Sequence, residues 1–161
     1  MPPRRSMLIF AAAAIVVTAC TDQPAGRPPS NAPAAPDELL RREVVAAEAD
    51  LIALYAAARA AHPRFGDALA AVETRHRQHF AAVASSGRVA LTNRAPRPTA
   101  SALSVPAEPA EALDTLRSAE ERATEARLGD CLRCADPDLA ELLAAIAAGE
   151  AANSVLLPSA S

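Results

Sequence analysis

Four stretches of this chain repeat apolar residues at three- and four-residue intervals, and each stretch sets an ionisable residue inside its own apolar stripe. The first has Leu40, Val44, Ala47, Leu51, Leu54, Tyr55 and Ala58, with Glu48 among them. The second has Phe65, Leu69, Val72, Phe80 and Val83, with His76 four residues after Val72 and seven before Val83. The third has Leu113, Leu116, Ala123 and Leu128, with Glu120 in step, and in the fourth Glu150 lies four residues after Ile146 and seven before Leu157. That spacing is the signature of a helix with one buried face, and no stretch alternates with period two for long enough to be a strand. The chain is therefore expected to be all-α, with four helices that each point an ionisable group into the core. An unpaired buried carboxylate costs several kcal/mol, so groups placed in this way are normally paired or bound to metal.

The helix ends follow from local chemistry. Asp37, just after Pro36, starts the first helix, which runs to about Ala61, where His62-Pro63 breaks it. The second is predicted from Pro63 to Ser85 and is stopped by Gly87. The third is predicted over Ala110–Gly129, and the fourth over Pro137–Leu157 after a connection at Asp130–Asp136. Between the second and third lies Gly87–Pro109, which has four prolines and no periodicity. A loop of that length is unusual in a small domain, but it suits a bundle whose second and third helices run parallel and need one long crossover. The second helix is roughly 33 Å long at 1.5 Å per residue, and the loop is long enough to run back along it.

The polar residues repeat between the two halves. The first half holds Glu48 and then Glu73-x-x-His76; the second holds Glu120 and then Glu150-x-x-Asn153. Glu48 and His76 each lie fourteen residues from His62, and Glu120 and Glu150 are equidistant from Ala135, so both predicted hairpins bring their polar residues to mid-bundle height. A carboxylate from each of two helices and a Glu-x-x-His from each of the others is how a four-helix bundle builds a two-metal site. Glu48, Glu73, His76, Glu120, Glu150 and Asn153 form the candidate metal set. An oxygen-rich set with imidazole suits iron or manganese, with zinc admissible. Asn153 departs from the pattern, because an amide oxygen is a weak neutral ligand where an imidazole is expected; His79, one turn beyond His76, stands at the edge of the inward stripe. The competing expectation is a metal-free bundle in which arginines neutralise the carboxylates, with Arg75, Arg77, Arg122 and Arg127 available.

With these residues the stretch Asp37–Leu157 resembles the ferritin-like superfamily, which includes bacterioferritins and rubrerythrins. Tyr55, seven residues after Glu48, adds to the likeness, which is strongest to the small ferritin-like domains of actinobacterial lipoproteins. The resemblance implies a ferritin-like four-helix bundle over 37–157 with a left-handed crossover between helices 2 and 3. For catalytic members it also implies dioxygen or peroxide chemistry at two irons.

The N-terminal region reads as an export signal. Arg4 and Arg5 precede an apolar run, Met7–Val17, too short to span a membrane stably, and Arg4-Arg5 also resembles a twin-arginine signal. The run ends Val17-Thr18-Ala19-Cys20, which resembles a bacterial lipobox and implies removal of residues 1–19 and a lipid on Cys20. Residues 20–36, rich in proline, read as a disordered tether. The expected location is the extracytoplasmic face of the cell membrane, with the membrane as partner through the lipid; a homodimer is compatible with the pattern. The whole chain has a net charge of −3 and neither Trp nor a basic cluster, which argues against nucleic-acid binding. In an extracytoplasmic compartment Cys131 and Cys134 are expected to form a disulfide. A thiol–disulfide function is the sharper alternative, but the βαβ context of a thioredoxin-like motif is missing.

These readings converge on a cell-envelope lipoprotein with a degenerate carboxylate metal site and no established catalysis. A two-metal oxidase or peroxide scavenger is the alternative.

Overall fold

The computed structural model describes residues 36–87 and 104–159, all within one compact unit. The expected signal peptide (1–19), the expected lipid site at Cys20 and nearly all of the expected tether lie outside the described residues. Four helices make up the fold: α1 (Pro36–Ala61), α2 (Gly66–Ser85), α3 (Pro109–Arg133) and α4 (Pro137–Leu156). No strand occurs among the described residues. The fold class read from the apolar periodicity is all-α, and the structure is an all-α bundle.

The helices pack chiefly as two hairpins, α1 with α2 and α3 with α4, which meet through α1 against α3 and α2 against α4. Contacts at one end fix the directions. The Asp37 carboxylate at the start of α1 accepts the backbone N–H groups of Ala135 (3.1 Å) and Asp136 (2.9 Å) in the α3–α4 turn. Arg41, buried on the next turn of α1, donates to Ser86 Oγ at the end of α2 (3.3 Å) and to the Asp136 carboxylate (2.5 Å). Thus α1 and α4 begin at this end, and α2 and α3 finish there. At the opposite end His62 Nε2 lies 2.9 Å from the Pro106 carbonyl, and Val105 packs against a cluster of Tyr55, Leu69, Leu113 and Leu157. The chain leaves α2 at one end and enters α3 at the other, so the intervening segment joins opposite ends of the bundle.

Two expected helix bounds move. The predicted second helix opens with a short 3₁₀ turn, Pro63–Phe65, before α2 begins at Gly66. Proline fits a first turn because it lacks the N–H that a helix start leaves unpaired. The predicted third helix runs on past Gly129 to Arg133, where the Cys134 N–H closes the last turn on the Asp130 carbonyl. Gly129 ends nothing because no described glycine has a positive φ, the conformation through which glycine stops a helix. Its neighbour Asp130 is held within the helix by Arg127 and Arg133. The connection shrinks to residues 134–136, and the Asp136 carboxylate caps α4 by accepting the N–H groups of Asp138 and Leu139.

One core assignment also changes. Leu128 was expected inward but is 53% exposed, while Arg127 is buried. Seven-residue steps return to one helix face, so Leu113 and Glu120 are followed by residue 127, not 128. Helix α4 has the length and mean hydropathy of a membrane span. Here it is a core helix that buries Leu139, Leu143, Ile146, Ala147, Glu150 and Asn153 in the bundle.

The core has three layers. Leu40, Val44, Val45, Val83, Leu139, Leu143 and Ile146 fill one end. Tyr55, Ala58, Leu69, Val72, Leu113, Leu116 and Leu157 fill the other. Between them lies a layer of buried polar side chains contributed by all four helices.

Candidate functional site

The polar layer contains every residue of the candidate metal set. Glu48, Glu73, His76, Glu120, Glu150 and Asn153 each have at most 1% of their surface exposed. Helix geometry alone accounts for their arrival there: each sits a turn from apolar residues that face the core, and the i, i+3 pairs Glu73/His76 and Glu150/Asn153 each share a face. Their bonding, however, differs sharply from one residue to the next.

His76 is the hub. Its Nδ1 lies 2.9 Å from Glu48 Oε2 and its Nε2 2.9 Å from Glu120 Oε1. Burial by itself lowers the imidazole pKa, but the bonds to Glu120 and Glu48 outweigh it and raise the value to about 9. In the metal-free protein at neutral pH the ring is an imidazolium that donates to both carboxylates. Glu120 also accepts from the Tyr55 hydroxyl (2.5 Å) and from Asn153 Nδ2 (3.3 Å). Burial first, and then the charge of Glu120, pushes the Tyr55 phenol pKa up, so it remains a neutral donor. Glu120 thus accepts three donors from three helices.

Glu73 is occupied in a different way. Arg59 Nη1 from α1 is 2.6 Å from its Oε2, and Arg77, one turn along α2, bonds its Oε1. Burial would raise the Glu73 pKa, but the two guanidinium bonds prevail and hold the carboxyl below the usual range. Both arginines are partly exposed, with side chains 41% and 56% exposed, and their guanidinium groups bond a carboxylate that is 1% exposed. Of this clamp Arg77 was among the expected partners and Arg59 was not. Arg59 lies eleven residues, three helical turns, after Glu48, and that periodicity is the sequence signal for it.

Glu150 has neither kind of partner. Its Oε2 is buried and makes no hydrogen bond. Burial chiefly, and then the charge of Glu48, raises its pKa to about 8 despite the opposing charge of Arg127. Asn153 Oδ1 and His79 Nδ1 are also buried without a hydrogen-bond partner. His79 Nδ1 faces Glu48 Oε1 at 3.8 Å, and its ring meets that of His76 edge-on at 5.8 Å. The ring lies over Gly149 of α4, where an added Cβ would stand 3.2 Å from its Cε1 and Nε2. Glu48, His76 and His79 bring one ligand atom each within 4.8 Å of one another.

This arrangement does not fit two metal ions. Glu73 is taken by two arginines, Glu120 accepts three donors, and Asn153 turns its amide N–H₂ rather than an imidazole toward Glu120. It does bring together one carboxylate and two imidazoles that could hold a single ion.

The cysteines stand apart, at the end of the bundle where α1 begins. They are two free thiols rather than the expected disulfide. Cys131 is in the last turn of α3 and directs its S–H to the Ala140 carbonyl (3.6 Å), whereas Cys134, at the helix end, directs its own to the Asp136 carbonyl (3.2 Å). The extra helical turn to Arg133 gives each thiol a separate acceptor, and burial raises the Cys134 thiol pKa. No protein-family model, curated protein or solved structure matches the chain.

Proposed function

We propose that this chain is a lipid-anchored, ferritin-like protein of the cell envelope whose two-metal centre is degenerate. It serves there as a tethered helical module, not as a dinuclear oxidase or peroxide scavenger. The observation that carries this reading is the way the polar layer is neutralised. The imidazolium of His76 sits between Glu48 and Glu120, and Arg59 and Arg77 take Glu73, so the protein's own cations occupy places that two metal ions would need. Buried charges must be compensated, and these are compensated internally. The order of the helices and the mirrored Glu48/Glu73/His76 and Glu120/Glu150 positions support the ferritin-like part. The Val17-Thr18-Ala19-Cys20 sequence supports the anchor.

Two measurements on the full chain test the reading. Cys20→Ala should move the protein out of the membrane fraction or leave it unprocessed; an unmodified soluble N-terminus in the parent chain rejects the anchor. Elemental analysis after purification without a metal-affinity tag should give fewer than two metal ions per chain, together with no turnover of ferrous iron by dioxygen or peroxide. Two bound ions and such turnover would establish the oxidase instead.

A further inference from the structure

We infer that the polar layer holds a single divalent transition-metal ion, bound by Glu48, His76 and His79. The inference rests on the degenerate two-metal reading and gives the surviving half of that centre a ligand of its own. The argument starts from what remains once the satisfied groups are set aside. Glu73 is held by Arg59 and Arg77, and Glu120 accepts from Tyr55, His76 and Asn153. Of the carboxylate and imidazole groups that remain, Glu48, His76 and His79 bring one ligand atom each within 4.8 Å of one another. Metal–nitrogen and metal–oxygen bonds of about 2.0–2.2 Å put two ligands on one ion at most about 4.4 Å apart, so small side-chain rotations close the site.

Two further observations point to an ion. Glu150, 1% exposed, has a buried Oε2 with no hydrogen bond, so the polar layer holds a carboxyl group that no protein donor satisfies. A cation on Glu48 would bring the missing positive charge into that layer. His79 Nδ1, buried and unpartnered, faces Glu48 Oε1, and its ring lies against Gly149 of α4, where a Cβ would crowd it.

Glu120 then acquires a definite role outside the ligand set. When an ion replaces the proton that His76 Nδ1 shares with Glu48, the other ring nitrogen still donates to Glu120. Metal-bound histidines almost always donate their second N–H to an acceptor of this kind, which fixes the tautomer and aims the ring. Tyr55 and Asn153 in turn fix Glu120. An amide at position 153 is thus a donor that positions Glu120, and an imidazole there is not required. Two imidazoles and one carboxylate match zinc, ferrous iron or manganese and leave positions open for an outside ligand.

The test uses the full chain, stripped with chelator and titrated with zinc, and with ferrous iron under anaerobic conditions. One ion per chain is expected. His79→Gln should abolish measurable binding, while Glu120→Gln and Asn153→Ala should weaken it about 10- to 100-fold. Gly149→Ala, which pushes the His79 ring aside, should weaken it too, and Glu73→Gln should leave it unchanged. Cobalt(II) should give a visible spectrum of mixed nitrogen and oxygen ligation that is lost in His79→Gln. Because His79 is partly exposed, circular dichroism of His79→Gln should match the parent, which separates lost ligation from misfolding. No bound ion overturns the inference and leaves the degenerate-centre reading standing. One ion whose binding is indifferent to His79 overturns the ligand set. Two ions per chain, reduced by Glu73→Gln, overturn both.

Discussion

Glu120 and Glu150 hold equivalent places in the sequence pattern, yet they sit in opposite electrostatic circumstances. Glu120 is a carboxylate with three donors, and replacing it by Gln forces an amide N–H₂ against the Tyr55 hydroxyl or the His76 N–H. Breaking a buried pair of this kind costs about 3–5 kcal/mol, so Glu120→Gln should lower the denaturation midpoint strongly. Glu150 in metal-free protein has a pKa raised to about 8. An acid whose folded pKa lies above its unfolded value loses stability as pH rises from about 4.5 to 8. Glu150→Gln should therefore stabilise the chelated protein by about 1–3 kcal/mol at pH 8 and by little at pH 4.5, measured by urea unfolding at both pH values. Glu73 has the opposite sign. Its lowered pKa contributes stability that is present above the usual carboxylate range and lost as pH falls through the folded value. Acid unfolding of Glu73→Gln should accordingly be less steep below pH 4.5 than that of the parent. Periodicity brought both Glu120 and Glu150 into the core on paper. It could not separate them, because the donors that distinguish them come from Tyr55 on α1 and His76 on α2.

Among the elements, the helices were legible wherever their ends are set by local chemistry and were misjudged where tertiary contacts decide. The start of α1 beside Asp37, its break at His62-Pro63 and the start of α4 at Pro137 all follow from proline and capping rules. Gly129 misled, because a glycine near the end of an apolar pattern resembles a stop. Here it is an interior helical residue with open space where a Cβ would go. Its only effects are backbone entropy in the unfolded chain and exposed backbone in the helix. Gly129→Ala should thus stabilise the bundle by up to about 1 kcal/mol, read as a raised midpoint with an unchanged denaturant slope. A lowered midpoint would mean that the turn after Asp130 needs the glycine after all. The Arg41 contacts were illegible for a related reason. An arginine on a surface-like stretch of α1 gave no sign that it would be buried against Ser86 and Asp136, since those partners are 45 and 95 residues away.

For the whole molecule, the three-layer core explains why a polar site could be read from sequence while its ligand could not. Each apolar end layer is small and built largely from Leu, Val and Ala, and the chain has no Trp and only three Phe. The polar layer joins the two ends, so the bundle should unfold as one unit, with its stability depending on how completely that middle layer is compensated. In the metal-free protein the compensation is partial: Glu48 and Glu120 have His76, but Glu150 has no donor. An ion held by Glu48, His76 and His79 would add the missing positive charge, and ligands that bind only the folded state stabilise by mass action. At free zinc a hundredfold above its dissociation constant the gain should be about 2.7 kcal/mol, seen as a single unfolding transition moved upward as a whole. His79→Gln should remove the zinc-dependent shift while leaving the metal-free midpoint near that of the parent, because His79 Nδ1 makes no hydrogen bond that the substitution would break. Two separate transitions, one responsive to zinc and one not, would instead show that the polar layer divides the bundle into halves that fold apart.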